Sequence, residues 1–434
     1  MERHHVPYAR ALEMLRALKL HLVCGEEIRG SAALQGALLT SVNTGKRAFR
    51  GGVTVEISPE VPLCVPWPKH SFLNQVVEDL GAELVQSAPG GHSRVLAFGT
   101  TPGPEADLRV TCDGWRGGVS PSNLVPAFRC GPDFALGGIF AGALAVSRSF
   151  LSASEIVRRD VTEPIGFSLW RPDLSWLCDD AIGPSLEGLP SKLWLLGLGH
   201  LGQAYVWTIG LMPFPAQSSL LLLQDFDQVE KGNWSAGLLC ENKDVGTPKT
   251  RMCAQWLEQR DFRTQIVERP FDENTKRNVE EPRVALCGFD NAESRRFLEN
   301  AGFDLIVECS LGATVERYDR IVLRTFPDAS EKARDIWKKD SVEEPSVDIA
   351  LLEQPNQECG IVLDAIAEKA ISSSFTGACA SALVLAEVLK AIHGGRRCEI
   401  LVTELRHLDR PDNPYRDEAY QLRVARNGMV LPNT

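Results

Sequence analysis

The chain reads as an α/β protein of two similar halves, the second carrying the chemistry and the first a degenerate copy of it. Three observations predict this. Through the C-terminal half, short apolar runs alternate with stretches that suit helices, the order expected of a mainly parallel sheet with crossover helices. Segments of the N-terminal half recur, in the same order, in the C-terminal half. A glycine-rich turn, Gly197-Leu198-Gly199-His200-Leu201-Gly202, follows the first strand of the second half and has no counterpart in the first.

Taken in order, the first half offers strands at Val53 to Ile57, Val95 to Gly99 and Asp107 to Cys112, and a small-residue helix around Gly138 and Ala143-Leu144. In the second half Lys192 to Leu196 is a strand and Gln203 to Leu211 suits a helix. Ser219 to Leu223 is the next strand, ending at Asp225-Phe226-Asp227. Arg283 to Cys287 leads into Gly288-Phe289-Asp290-Asn291, and Asp304 to Glu308 comes next. Val284 to Gly288 parallels Val95 to Gly99, and Asp304 to Cys309 parallels Asp107 to Cys112. Gly377 with Ala382-Leu383 parallels Gly138 with Ala143-Leu144. The kept order favours duplication over chance likeness among apolar strands.

The copies differ where chemistry would sit. Thr101 matches Asp290, and the first copy offers only Gly25 and Gly30 in place of the glycine-rich turn. No paired acids follow its second strand. The interval from Cys309 to Gly377 is far longer than that from Cys112 to Gly138, so the second half carries an insertion. This insertion takes in the charged Asp328 to Glu344 stretch and ends near Cys359-Gly360; loops of this kind are usually functional or disordered. The expected boundaries are 1–163 for the degenerate domain, 164–190 for a connector and 191–410 for the active domain. A crossover loop is expected at about 326–360 and a tail at 411–434.

Composition bounds the function. A length of 434 residues suits two domains. With 44% hydrophobic and 24% charged residues the chain is globular rather than disordered. A net charge of −11 argues against a general nucleic-acid binder. No apolar run is expected to span a membrane. Met1-Glu2-Arg3-His4-His5 opens no signal-peptide pattern, so the default location is cytoplasmic. The 12 cysteines are scattered without Cys-x-x-Cys spacing, which leaves a zinc site unsupported and most thiols reduced and buried.

Gly197, Gly199 and Gly202 would let the backbone approach a phosphate chain at a helix N-terminus. Tight strand–helix packing is the plain alternative. Asp227 stands where an acid takes ribose hydroxyls, and Asp225 could serve instead. NAD and ATP enzymes share all of this. Residues further along the chain separate the two: Asn233, then Val245-Gly246-Thr247-Pro248-Lys249, then Asp290-Asn291 with Arg295 downstream. An adenylating site needs a lysine to neutralise phosphate and a carboxylate to hold magnesium. Lys249 and Asp290 supply these types. Singly they would be a surface lysine and a strand-end acid; together and in this order they are far more specific.

With these stretches the sequence resembles the ubiquitin-activating family, which includes the bacterial adenylyltransferases of thiamin and molybdopterin synthesis. The resemblance covers roughly residues 190 to 405 well and the N-terminal half as a degenerate copy. It implies two Rossmann-like halves forming a pseudo-dimer within one chain, with a homodimer also open. Among bacterial proteins it is most similar to the activating enzymes of ubiquitin-like conjugation operons, some of which act in antiphage defence.

By position, Gly199 and Gly202 would line the phosphates, Asp227 would hold ribose, Asn233 and Lys249 would contact the triphosphate and Asp290 would bind magnesium. The partners implied are a ubiquitin-like protein with a C-terminal glycine and a conjugating enzyme, with no nucleic acid or membrane. The family's arginine three residues after the asparagine is Ala236 here, so Arg251 or an arginine of the first half would have to replace it. Tyr8-Ala9-Arg10 resembles the family's N-terminal Tyr-x-Arg, although a surface role is the plainer reading. Activating enzymes of this type pass the acyl group to a cysteine on the crossover loop, and Cys359 is the candidate. Cys112, Cys309 and Cys379 read as packing residues. The alternatives are adenylation for a sulfur carrier or peptide without a thioester, a nicotinamide-dependent oxidoreductase, and a nucleotide-gated scaffold without activity.

Overall fold

The computed structural model describes residues 8–88, 90–99, 106–124, 126–154, 161–312, 318–328, 330–338, 373–408 and 421–424. The chain divides into two compact units. One is Met1–Glu187 with Thr208–Pro213 and Leu408–Pro411; the other is Gly188–Trp207, Phe214–His407 and Asp412–Thr434.

In the first unit, α1 (Tyr8–Ala17) precedes β1 (Leu20–Cys24), α2 (Ala32–Ala48), β2 (Val53–Glu56), α3 (Leu73–Asp79) and β3 (Glu83–Val85). Then come β4 (Arg94–Phe98), β5 (Leu108–Cys112), β6 (Arg116–Pro121), α4 (Ala135–Ala153) and β7 (Ile165–Ser168). The sheet order is β3-β2-β1-β4-β5-β6-β7, parallel from β3 to β5 and antiparallel through β6 and β7. Central strands β1 and β4 are mostly apolar and buried, as strands covered on both faces are, whereas β2 alternates and β3 is more exposed. Helices α2 and α4 approach until their backbones nearly touch. A Cβ on Gly138 or Gly142 would run into the carbonyl of Ala33 or Ala37.

The second unit repeats the plan. Its elements are β8 (Lys192–Leu196), α5 (His200–Leu211), β9 (Leu220–Gln224), α6 (Lys249–Glu258), β10 (Arg263–Val267) and β11 (Val284–Cys287). They continue with α7 (Ala292–Arg295), β12 (Leu305–Leu311), β13 (Arg320–Phe326), α8 (Ala333–Ile336), α9 (Ser374–Ile392), β14 (Cys398–Glu404) and β15 (Gln421–Val424). The order β10-β9-β8-β11-β12-β13-β14-β15 matches the first sheet strand for strand up to β14, again parallel and then antiparallel. One face is closed by Trp194, Leu222, Ile306 and Phe326 against Leu298 and Ala333.

Four expectations change. Residues 164–190 are not only a connector, because β7 pairs with β6 as an edge strand of the first sheet. The tail contributes β15, paired antiparallel with β14. The crossover region begins as structure: Phe326 ends β13, and α8 lies just beyond it. Finally, α4 and α9 are long and apolar enough, by length and composition, to cross a membrane, although 89% and 94% of those windows are buried inside the protein. Their apolarity comes from runs of Ala, Gly and Leu that pack against sheets.

Candidate functional site

The second sheet reverses its strand order between β8 and β11. In open α/β sheets the crevice beyond the carboxyl ends of the strands at such a point receives ligands. The glycine turn opens there. Gly197 sits at φ +80°, a conformation L side chains rarely adopt. Its N–H donates to the Gln224 carbonyl at 2.9 Å. A Cβ on Gly202 would collide with the Gly197 carbonyl, so only glycine lets α5 start directly beneath the turn. A Cβ on Gly199 would meet nothing within 4 Å. The three glycines thus divide the work: Gly197 turns the chain, Gly202 permits the packing, and Gly199 leaves open space at the head of a 12-residue helix.

Two acids flank the exposed Phe226 and face different tasks. Asp225 is partly buried and accepts the Leu198 N–H at 2.6 Å and the Asp227 N–H at 2.8 Å. Burial pushes its carboxyl up from the ordinary carboxylate range, while Lys249 and the two N–H donors pull it back. Asp225 therefore fastens the glycine turn to β9. Asp227 keeps its side chain 47% exposed.

Lys249 reaches Asp227 because the chain doubles back. The Val229 N–H donates to the Thr247 carbonyl at 2.9 Å, and the Gly246 N–H to the Val229 carbonyl at 2.8 Å. The Lys249 N–H donates to the Asp227 carbonyl at 3.0 Å. Pro248 is the cap residue just before α6, and Lys249 is the helix's first residue. The Lys249 Nζ donates to Asp227 Oδ2 at 2.8 Å with the residue only 5% exposed. Burial lowers its pKa, but Asp225, Asp227 and Asp290 together outweigh that and raise it. The ammonium stays charged in a crevice lined by acids.

Asp290 is exposed just beyond β11, where the Gly288 N–H donates to the Leu196 carbonyl at 2.8 Å. Asn291 caps α7, its Oδ1 accepting the Ser294 N–H at 2.8 Å. An exposed carboxylate is the ligand type magnesium takes, one or two at a time, while keeping several waters.

The structure thus gathers Gly197, Gly199, Gly202, Asp225, Asp227, Lys249 and Asp290 at one end of one sheet. Asn233 is engaged in its own turn, its Oδ1 accepting the Glu230 N–H at 3.0 Å. Arg251, a proposed stand-in for the arginine missing at Ala236, instead bonds Glu268 at 2.9 and 3.1 Å. Cys359 and Thr101 lie outside the described residues, as do the side chains of Tyr8 and Arg10. Sequence reasoning missed Gln203. Its buried Oε1 accepts the Leu239 and Cys240 N–H groups at 3.2 and 3.1 Å, tying the helix below the glycine turn to the 237–240 loop. The available signal was a lone amide in the apolar run Ala204-Tyr205-Val206-Trp207.

The matching place in the first unit is filled by acids. A Cβ on Gly99 would lie 2.6 Å from Glu27 Oε2. Glu26 bonds Ser58 and Arg29. The N-terminus of α2 already holds an anion: Asp133 accepts the Ala32 and Ala33 N–H groups at 2.7 and 3.0 Å and the Ser31 hydroxyl at 2.9 Å. A phosphate would meet these carboxylates in place of free amides. Counting back from Gly377 as from Gly138, the second half has Ser372 at that position.

Comparison with known proteins places the chain. The BilD N-terminal domain matches residues 19–169 and the BilD C-terminal domain matches residues 189–395. The "Bacterial E1-like protein BilD" of Collimonas sp. (strain OK412) is 36% identical over 400 residues, which is 90% of this chain and 86% of that protein. The chain belongs to the BilD family. Both BilD domains are therefore represented, one on each sheet. Among solved structures, E. coli MccB is 15% identical and covers 75% of this chain and 93% of its own, with a TM-score of 0.36. E. coli tRNA N6-threonylcarbamoyladenosine dehydratase, TcdA, is 15% identical and covers 46% of this chain and 84% of its own, with a TM-score of 0.30. At these scores neither likeness bears on chemistry.

Proposed function

We propose that this BilD-family protein is an ATP-dependent adenylyltransferase that activates the C-terminal glycine of a ubiquitin-like protein and passes it to Cys359. The observation that carries the reading is the meeting of the glycine turn, Asp227, Lys249 and Asp290 at the strand-order reversal of the second sheet. Gly199 and the amides opening α5 would receive the phosphates. Lys249 would exchange its bond to Asp227 for the triphosphate, freeing Asp227 for ribose. Asp290 would hold magnesium, which adds charge neutralisation at the phosphate oxygens when bound. A nicotinamide cofactor would leave Lys249 and Asp290 without a task.

In the reaction a glycine carboxylate oxygen bonds to the α-phosphorus, and the bond from that phosphorus to pyrophosphate breaks. Positioning and charge neutralisation supply the acceleration. The Cys359 thiolate then bonds to the acyl carbon as the bond to AMP breaks, and the acyl group goes on to a conjugating enzyme. The other cysteines of the second half support this assignment by elimination. Cys240, Cys253, Cys287, Cys309, Cys379 and Cys398 are all buried. Burial pushes the thiols of Cys253, Cys309 and Cys379 far up, Cys287 also up, and Cys398 up to about 12. A buried thiol held protonated makes a poor nucleophile.

Calorimetry with Mg-ATP and with NAD, on the unaltered chain and on Lys249→Ala and Asp290→Ala, tests the first step. Mg-ATP binding that weakens in both variants is expected, with carrier-dependent pyrophosphate exchange falling roughly 100-fold. NAD binding unaffected by either change would overturn the reading. Cys359→Ala should keep pyrophosphate exchange and lose the carrier thioester.

A further inference from the structure

We propose that Arg295 and Glu308 form a positioning pair that sets the Asp290 carboxylate for its metal; this rests on the adenylation reading above. Arg295 ends α7, and its Nη2 donates to the Phe289 carbonyl, closing the turn that presents Asp290. The Asn291 cap fixes the other side of the same turn. The guanidinium is in turn held from below. Its Nε forms an ion pair with Glu308 Oε1 at 3.1 Å, without hydrogen-bond geometry, and Glu308 is fully buried on β12. Glu308 pairs in register with Cys287, two residues before Phe289 on the neighbouring strand. The chain of contacts therefore runs from β12 through Arg295 to the residue next to Asp290.

Glu308 is an expensive choice for a purely structural role. Burial raises its pKa, and Arg295, Arg324 and the Ser310 hydroxyl oppose that. Ser310 Oγ donates to Oε1 at 3.2 Å, but Oε2 accepts no hydrogen bond among the described residues. A buried carboxylate oxygen left without a donor costs stability that an apolar or hydroxyl side chain would not. The first half does without the acid: Thr111 matches Glu308 there, and Arg109 from β5 itself donates to the Gly99 carbonyl just past β4. The acid stands in the half that carries Asp290, where orientation of a ligand has value: groups behind a metal ligand typically govern 10–100-fold in affinity.

The test measures Mn2+ affinity by water-proton relaxation in the presence of a non-hydrolysable ATP analogue, and analogue affinity in EDTA, on full-length protein. Glu308→Gln keeps shape and removes charge. Arg295→Lys keeps charge and loses the planar fork that serves Phe289 and Glu308 together. Both are expected to weaken Mn2+ binding about 10-fold or more, with metal-free analogue affinity unchanged. Arg295→Lys carries the test if Glu308→Gln does not fold. Mn2+ affinity lost in Asp290→Ala but retained in the folded pair variants overturns the positioning role alone. An unaltered chain that binds no Mn2+ with the analogue overturns the adenylation reading and this inference with it. Equal loss of metal-dependent and metal-free affinity would mark a merely structural pair and also overturn the role.

Discussion

Gly199 and Gly202 belong to one motif and differ in what surrounds them. Gly202 has the Gly197 carbonyl where a Cβ would go, whereas Gly199 faces open space. Gly202→Ala is therefore expected to lower unfolding stability by about 1–3 kcal/mol, the usual range for overpacking. Gly199→Ala should leave stability nearly unchanged and weaken nucleotide binding. Denaturant unfolding beside nucleotide calorimetry separates the two; equal stabilities would refute the division of labour. The sequence made both glycines visible as a motif but could not rank them. The same holds for Asp225 and Asp227. Both acids were legible as candidates, but the choice between them depends on which carboxylate turns back to the Leu198 N–H. That is a matter of backbone direction, which spacing does not encode. Lys249 was legible through its company, a lysine just past a Gly-Thr-Pro turn with Asp290 downstream. Arg251 misled because its partner Glu268 is remote in sequence.

At the scale of elements, the contrast between α2 and α5 explains how one half can keep a fold and give up a ligand. Helix α2 has Ser31 accepting the Leu34 N–H at 3.2 Å and Asp133 covering the first amides. Asp133→Ala should cost about 0.5–2 kcal/mol in unfolding stability, the range for a lost N-terminal cap. It should also leave nucleotide stoichiometry at a single site per chain, because Glu26 and Glu27 still occupy the place. Calorimetric titration of the variant checks this, and a second equivalent of bound nucleotide would count against it. Seven strands, β2, β4, β5, β8, β9, β11 and β12, were legible, chiefly as the apolar runs that buried parallel strands show. Strands β1, β3, β6, β10, β13 and β14 were not read, and neither were β7 and β15. Ile165–Ser168 stands among Pro, Gly and Trp residues and Gln421–Val424 among charges, and both join their sheets as edge or terminal strands through backbone bonds that composition does not display.

Among the described residues, thiols withdrawn from solvent share one electrostatic trait. Those of Cys24, Cys112, Cys253, Cys287, Cys309, Cys379 and Cys398 all titrate above the ordinary thiol range, chiefly because burial penalises the thiolate. The unfolded chain loses these protons first. Above the unfolded value the folded state binds more protons, so stability falls as pH rises toward the folded values, by roughly 1.4 kcal/mol per pH unit for each thiol. Arg260, pushed down to about 9 by burial, works in the opposite direction as one group. Unfolding stability should be constant through neutral pH and drop steeply above about pH 8.5, as measured by urea unfolding across pH 7 to 10. A flat profile to pH 10 would contradict the burial of these thiols. The duplicated α/β plan itself was legible because the order of matching segments survives, while the acids that close the first crevice were not, since Asp133 comes from far along the chain.

Helices α4 and α9 have a wider consequence. Each satisfies the length and apolarity by which membrane segments are recognised, yet 89% and 94% of those windows are buried inside the protein. Once the helices are delimited, length and composition alone would nominate both as spans, which the surrounding protein contradicts. Sequence composition offers no correction, because the Gly138 and Gly142 spacing in α4 is itself one that membrane-spanning helices use to pack closely; the enclosure shows only in the fold.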